Sequence, residues 1–287
     1  MANSPSGESL MGRAVRVIET FSEDESILTV SEIAKRAELP ITTAHRIVNE
    51  LVDLRILARD TERKIRLGTR LWEISQRASY EMRLRTTALP VMQHLQSIVK
   101  SHVQLAVISH GQVLYLERLS MPGAVKNTAH PASRIEAHFC SPGLILLAYA
   151  PPEVQLHAFE GEFVRNTPTS IRNGDELRSR LAEARKQRFA VSNGMLVPTS
   201  KGVAVPIVAE GQRVVAALSV VIPLDSDHQQ MVPIMMRASQ AISAALGSDY
   251  VSDDSAWITQ SLEAGQEMAD AASGRRKGEK ASQALPH

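Results

Sequence analysis

Thr42, Thr43, His45, Arg46 and Asn49 crowd one short stretch, hydroxyls first and long hydrogen-bonding groups after. On one face of a helix such groups suit base edges and phosphates. Arg59, Arg63 and Lys64 follow in a polar stretch that can reach phosphates flanking a groove. Nothing of comparable strength points to catalysis. His138 and Cys140 are two apart and would share the face of a strand, yet no third orienting group has a recognisable spacing. A lone cysteine is more often a buried small hydrophobe. There is no H-x-x-x-H or C-x-x-C pair. The expectation is therefore no catalytic residue, no metal ligand and no cofactor.

The candidate groove residues need a helix held by a small core. Thr29 and Glu32 have capping-box spacing, which starts a helix near Val30 with Ile33, Ala34 and Ala37 facing inward. Pro40 ends that helix and suits the first turn of a second one, starting at Pro40 or Ile41. Ala44, Ile47, Val48, Leu51 and Leu54 form its inward stripe, which leaves the groove residues on the opposite face. Ile56 to Ala58 and the alternating Lys64-Ile65-Arg66-Leu67 read as a hairpin with a basic tip, closed by Gly68. An earlier helix with Leu10, Ala14, Val17, Ile18 and Phe21 on one face completes a three-helix core. The whole is the layout of a winged helix-turn-helix.

These residues carry a specific resemblance. Ser31-Glu32-Ile33-Ala34, Leu39-Pro40, Thr42 to Arg46, Arg59-Asp60 and Leu67 to Leu71 resemble the DNA-binding segment of the IclR family of bacterial transcriptional regulators. Ile65 stands where an aromatic is usual, and Asp53-Leu54-Arg55 where a glycine usually precedes the wing.

Composition fits that reading. A chain of 287 residues has room for two cores, and its 44% apolar content contains no run long enough to span a membrane as a helix. MANSPSGES lacks the features of a signal peptide, and one cysteine excludes an internal disulfide, so a cytoplasmic protein is expected. The net charge is only +1, but Lys35 to Arg77 hold ten basic and six acidic residues. The acidic cluster Glu23-Asp24-Glu25 precedes them. A local positive face, doubled in a dimer, suffices for salt-sensitive DNA binding.

Thr69 to Val99 reads as helical with a break at Leu89-Pro90, and Trp72, Ser75, Gln76, Ser79, Met82 and Thr86 form a mixed stripe. That segment is a candidate dimer element, or equally a helix packed within its own subunit. Beyond it the pattern changes. His102 to Ile108 and Val113 to Arg118 form a hairpin, and Ala124 to Ala129 read as a weaker strand. Ser141-Pro142-Gly143 open an apolar helix from Leu144 to Ala150. Helices follow at Glu153 to Glu160 and Asp175 to Arg188. Val203 to Val208 and Val214 to Ile222 pair through the turn Glu210-Gly211-Gln212, and Val232 to Leu246 close as a helix.

This is an α+β pattern, an antiparallel sheet with packed helices. The hairpin, Thr167-Pro168, Ser170-Ile171 and the last strand pair resemble the GAF-like effector-binding domain of the same family. The expected organisation is a disordered 1–8, a winged helix-turn-helix at 9–68, a linker helix at 69–86, an effector-binding domain at 87–247 and an extension at 248–287. In the extension, Ala256, Ile258, Leu262 and Met268 hint at a helix and Ser273 to Gly278 are basic.

The resemblance implies that a small anionic or aromatic molecule binds between the sheet and the N-terminus of the helix at Ser141. His130, Arg134, Phe139, Ser141, Gly143, Ser200 and Gly202 are the candidate contacts. Leu144 and Phe139 depart from the family pattern there, and Gly202 stands at a usual Cys or Ser. What is expected is a DNA-binding regulator of a catabolic operon. It reads a pseudo-palindromic double-stranded operator as a homodimer or tetramer, answers to a small organic acid (aromatic acids among them) and has no membrane partner. Two alternatives stay open: a regulator whose effector pocket has degenerated, and a winged helix that binds protein.

Overall fold

A computed structural model describes residues 8–22, 24–78, 80–209 and 213–247, and the chain divides into two units between Met82 and Arg83. The expectations for 1–7, Glu23, Ser79, the turn Glu210 to Gln212 and the extension 248–287 lie outside the described residues.

The first unit contains α1 (Leu10–Ile18), β1 (Ile27–Leu28), α2 (Val30–Arg36), α3 (Ile41–Asp53), β2 (Leu57–Arg59), β3 (Ile65–Leu67) and α4 (Thr69–Ala78). The capping box forms as its spacing predicts. Glu32 N–H donates to Thr29 Oγ1 at 3.3 Å, and Thr29 N–H donates to Glu32 Oε2 at 2.7 Å. The α2 helix stops before Pro40, with Glu38 in the left-handed region and Leu39 N–H bonded back to Ala34 O at 2.9 Å. The α3 helix ends in the same way: Arg55 has φ 60° and Ile56 N–H returns to Leu51 O at 2.9 Å. An arginine thus occupies the left-handed position that favours glycine, at the place where the wing lacks its usual glycine.

Val17, Leu28, Ile33, Ala37, Ile47, Val48, Leu51, Leu57 and Ile65 form the core of this unit. Three apolar residues of the expected pattern leave it. Leu10 is 39% exposed at the start of α1, Leu54 is 49% exposed because it is the residue at which α3 turns away from its own stripe, and Leu67 is 42% exposed. The wing also has three strands instead of two, in the order β1-β3-β2, with Leu28 opposite Ile65. Gly68 is fixed by a close approach: its N–H bonds Ile56 O at 2.7 Å, and a Cβ there would run into the Arg55 carbonyl oxygen.

The remaining elements are α5 (Tyr80–Val99), β4 (His102–Ser109), β5 (Gln112–Leu119), β6 (Arg134–Glu136), a 3-10 turn at Ala137–Phe139, α6 (Ser141–Ala148), α7 (Pro152–Glu160), α8 (Gly174–Gln187), β7 (Ala190–Asn193), β8 (Ser200–Val208), β9 (Val214–Pro223) and α9 (Val232–Leu246). The six strands form one antiparallel sheet in the order β6-β5-β4-β9-β8-β7. Within the second unit, α5 and α9 cover one face of that sheet, where Leu84, Met92, Leu95, Met235 and Ile242 meet Val203, Val205, Leu218 and Val220. The apolar α6, with α8 behind it, covers the other face over Ala106, Ala204 and Ala217. Burial on both faces explains why β8 and β9 read as nearly unbroken apolar runs.

Two expectations need correction here, and one strand had not been expected. The helix does not break at Leu89-Pro90; α5 runs through Pro90, which is exposed, while Leu84, Ala88, Met92, Leu95 and Val99 hold the buried side. Packing along that side outweighs the one hydrogen bond proline removes. Ala124 to Ala129 form no strand. That segment crosses the sheet as a strap instead, and the sheet edge is the short β6. Ala190 to Asn193 form an edge strand, β7, that no alternation in the sequence announced.

Candidate functional site

Two constellations are built on this frame, one in each unit. On α3, Thr42, His45, Arg46 and Asn49 are exposed and Thr43 is half-buried, while Ala44, Ile47, Val48 and Leu51 point inward. Pro40 sets the start of this helix without a side-chain cap, which leaves its first N–H groups and positive dipole end beside Thr42 and Thr43. The wing leans on the same face: Arg59 Nη2 donates to Asn49 Oδ1 at 2.8 Å. Asp60 builds the tip by accepting from Glu62 N–H at 2.9 Å and Lys64 N–H at 2.8 Å, with Arg63 at φ 64°. Lys64 pairs with Glu62 at 2.8 Å, and that contact holds its ammonium charged above the ordinary range. Arg46 lies 3.9 Å from Glu50. Both pairs are exposed and screened by solvent, so a phosphate can displace either carboxylate. All eight residues singled out from the sequence therefore lie on α3 or on the hairpin beside it.

The second constellation is a cavity of about 40 Å³ where α6 begins above the sheet. Phe139, Ser141, Ser200 and Gly202 line it. His130, Arg134 and Gly143 do not. Arg134 is exposed and bonds Ser109 O at 2.9 Å, and His130 is exposed beyond the end of the strap. Gly143 faces backbone: a Cβ would run into the Ala137 carbonyl, so its bare Cα lets the 3-10 turn pack on α6.

Several lining residues escaped sequence reasoning. Gln104, Tyr115, Lys126, Asn127, Ser192 and Val221 come from β4, β5, the strap, β7 and β9. Gln104 alone left a signal, as a polar residue within an apolar strand. The strap is pinned by three side chains of the sheet. His102 Nε2 meets Val125 O at 2.8 Å, Arg118 bonds the carbonyl of Ala129, and Gln104 Nε2 donates to Asn127 Oδ1 at 3.3 Å. The opposite wall, Met195 to Val197, is held by Thr167 Oγ1 and Ser170 Oγ, each 3.3 Å from Met195 O. The Thr167-Pro168 motif thus positions a wall and contributes nothing to the lining itself.

The polar atoms of the cavity are unevenly satisfied. Ser141 is 1% exposed and its Oγ has no partner among the described residues, and Asn127 Nδ2 is likewise buried without one. Such groups cost about 1–3 kcal/mol each when unmet. The point where a Gly202 Cβ would sit is 2.6 Å from Ser192 Oγ and 2.7 Å from Ser141 Oγ, so two hydroxyls converge over a bare backbone. Cys140 is not a nucleophile here. Burial pushes its thiol up to about 11, and Tyr115, itself raised by burial, contacts it in the apolar wall. Among the described residues no cluster of His, Cys, Asp or Glu could hold a metal ion. No described helix is long and apolar enough to cross a membrane.

Comparison with known proteins agrees with both halves. Residues 11–61 match the IclR helix-turn-helix domain, and residues 76–244 match the C-terminal domain of the bacterial transcriptional regulator IclR. A crystal structure of an IclR homolog from Microbacterium hydrocarbonoxydans, complexed with 4-hydroxybenzoate, is similar over 83% of this chain and 99% of that one. Its sequence is 43% identical and the TM-score is 0.80. The probable transcriptional regulator SauR of Cupriavidus necator is 26% identical over 74% of this chain and 85% of its own length. An uncharacterized HTH-type transcriptional regulator of Escherichia coli, RhmR, is 30% identical over 64% of this chain and 71% of its own. With a winged helix ahead of an α+β domain and family matches over both, the chain belongs to the IclR family of DNA-binding transcriptional regulators, not to a family of enzymes.

Proposed function

We propose that this regulator binds a pseudo-palindromic operator as a homodimer or tetramer, and that its cavity takes a small organic acid whose binding changes operator affinity. Thr42, Thr43, His45, Arg46 and Asn49 would enter the groove, and Arg59, Arg63 and Lys64 would hold the flanking backbone. Exposed Trp72 and Ile74 on α4 offer an apolar surface to a second copy. The genes controlled would be those that break down the acid.

One observation carries the ligand reading: the buried Ser141 hydroxyl without a partner, at the positive end of α6. A carboxylate oxygen between Ser141 and Ser192 satisfies it. The relative that is 43% identical and holds 4-hydroxybenzoate supports an aromatic acid. At about 40 Å³ the cavity has room for a few waters, so a ring must push back the strap or the Met195–Val197 wall. The same small volume favours the rival reading, a regulator that needs no effector.

Two measurements decide. Operator binding should weaken steeply with salt, and a log K against log salt slope near zero refutes the DNA contacts named. A panel of aromatic carboxylates should raise the melting temperature and shift operator affinity. By linkage the operator must change ligand affinity by the same factor. If no acid acts at millimolar concentration, the effector-free regulator stands.

A further inference from the structure

Asn127 lies at the other end of the cavity from the serine pair. The sheet register sets the separation. Gly202 on β8 pairs with Val221 on β9, which pairs with His102 on β4. Gln104 follows on the same face of β4 and carries Asn127 above it. Two strand spacings, about 10 Å, therefore separate the polar end at Ser141, Ser192 and Gly202 from the polar end at Asn127. Val221 lies on the strand between them, and Phe139, Tyr115, Pro142 and Val197 supply apolar wall. The cavity is polar at both ends and apolar in the middle.

The orientation of the Asn127 amide is set by its neighbours. Ala129 N–H, which can only donate, bonds Asn127 Oδ1 at 3.1 Å. Gln104 Nε2 donates to the same oxygen, while Gln104 Oε1 accepts from Ser219 Oγ at 3.2 Å. The amide nitrogen is thereby left buried without a partner among the described residues. It is a donor awaiting an oxygen.

We propose that Asn127 determines specificity by donating to an oxygen at the far end of the ligand, so that the cavity selects two-ended acids: a carboxylate at Ser141 and an oxygen acceptor, such as a hydroxyl, at the opposite end. Gln104 is the positioning residue that aims the amide. This rests on the carboxylate reading above and adds the second end. An acid without the far oxygen leaves the amide unmet, which disfavours it by about tenfold.

The test is calorimetric titration of the full chain with 4-hydroxybenzoate and with benzoate. Wild type should prefer 4-hydroxybenzoate by about tenfold or more. Asn127→Ala removes the donor and leaves no oxygen for the ligand hydroxyl to bond, so it should bring the ratio to near one. Gln104→Ala should lower the ratio in part. Ser141→Ala, by contrast, should weaken both acids alike and leave the ratio standing. The specificity role is overturned if both acids bind equally to wild type, or if the ratio survives Asn127→Ala in a folded protein. Binding of neither acid overturns the carboxylate reading first, and this one with it.

Discussion

Two glycines beside the cavity should respond to the same substitution in opposite ways. A Cβ at Gly143 would run into the Ala137 carbonyl oxygen and lie 2.6 Å from both its carbon and the Ala137 Cα. All three are backbone atoms of a turn packed against α6, so relief requires moving one element off another. Overpacking of this kind costs about 3 kcal/mol or more, and helix propensity returns about 1 kcal/mol when alanine replaces glycine. The net loss is about 2 kcal/mol, or roughly 4–8 °C in Tm for a domain of this size. At Gly202 the obstacles are two hydroxyl oxygens, at 2.6 and 2.7 Å. Ser141 Oγ has no hydrogen bond to lose and can rotate aside. Gly202→Ala should therefore cost about 1 kcal/mol or less, a shift of roughly 2–4 °C at most, and the strand recovers part of it. Its Cβ instead fills the point between the hydroxyls, so affinity for the proposed carboxylate ligand should fall by about tenfold or more. Thermal unfolding with and without ligand reads both quantities. The reasoning is refuted if Gly143→Ala melts like wild type, or if Gly202→Ala is the more damaging of the two.

Three further outcomes are expected. Arg46→Ala should reduce specific operator binding by about 1–3 kcal/mol in a mobility-shift titration, and an equal loss on random DNA would make Arg46 a phosphate contact instead. Arg55→Gly should stabilise the protein by roughly 0.5–1 kcal/mol, because it relieves a left-handed residue at the end of α3; a lower Tm would show that the arginine side chain contributes more than its backbone costs. The buried Cys140 thiol holds its proton up to about 11, against an ordinary 9.0. The folded chain thus binds that proton more tightly than the unfolded one, so its stabilising contribution is complete below pH 9 and is lost as the pH rises towards 11. Cys140→Ala should flatten that alkaline limb in a series of melts, and an unchanged limb would assign it to other groups.

Local rules made much of the first unit readable. The Thr29–Glu32 box, the stop at Pro40 and the apolar stripe of α3 each depend on residues within a few positions of one another. Where the reading failed, a distant contact had overruled a local signal. Pro90 should end a helix, but a continuous buried side on α5 keeps it going. Ala124 to Ala129 read as a weak, polar strand, yet His102 and Arg118 bond their backbone from the sheet and Gln104 bonds the Asn127 side chain, so the segment spans strands instead of joining them.

The site divides along the same line. On the exposed polar face of α3, composition and helical period were enough to say which side chains lie together, since side chains on one helix face need only correct spacing to converge. The cavity is assembled from β4, β5, the strap, α6, β7, β8 and β9, and no spacing in the chain encodes which of their residues meet. His130, Arg134 and Gly143 sit close in sequence to the start of α6 and still fall outside the lining; Gln104 and Ser192 sit far from it and fall inside. The order of residues by itself therefore determined the family, the winged helix and its polar face. Only the sheet register and the burial it creates decided which polar atoms lack a partner, and so where a ligand has something to satisfy.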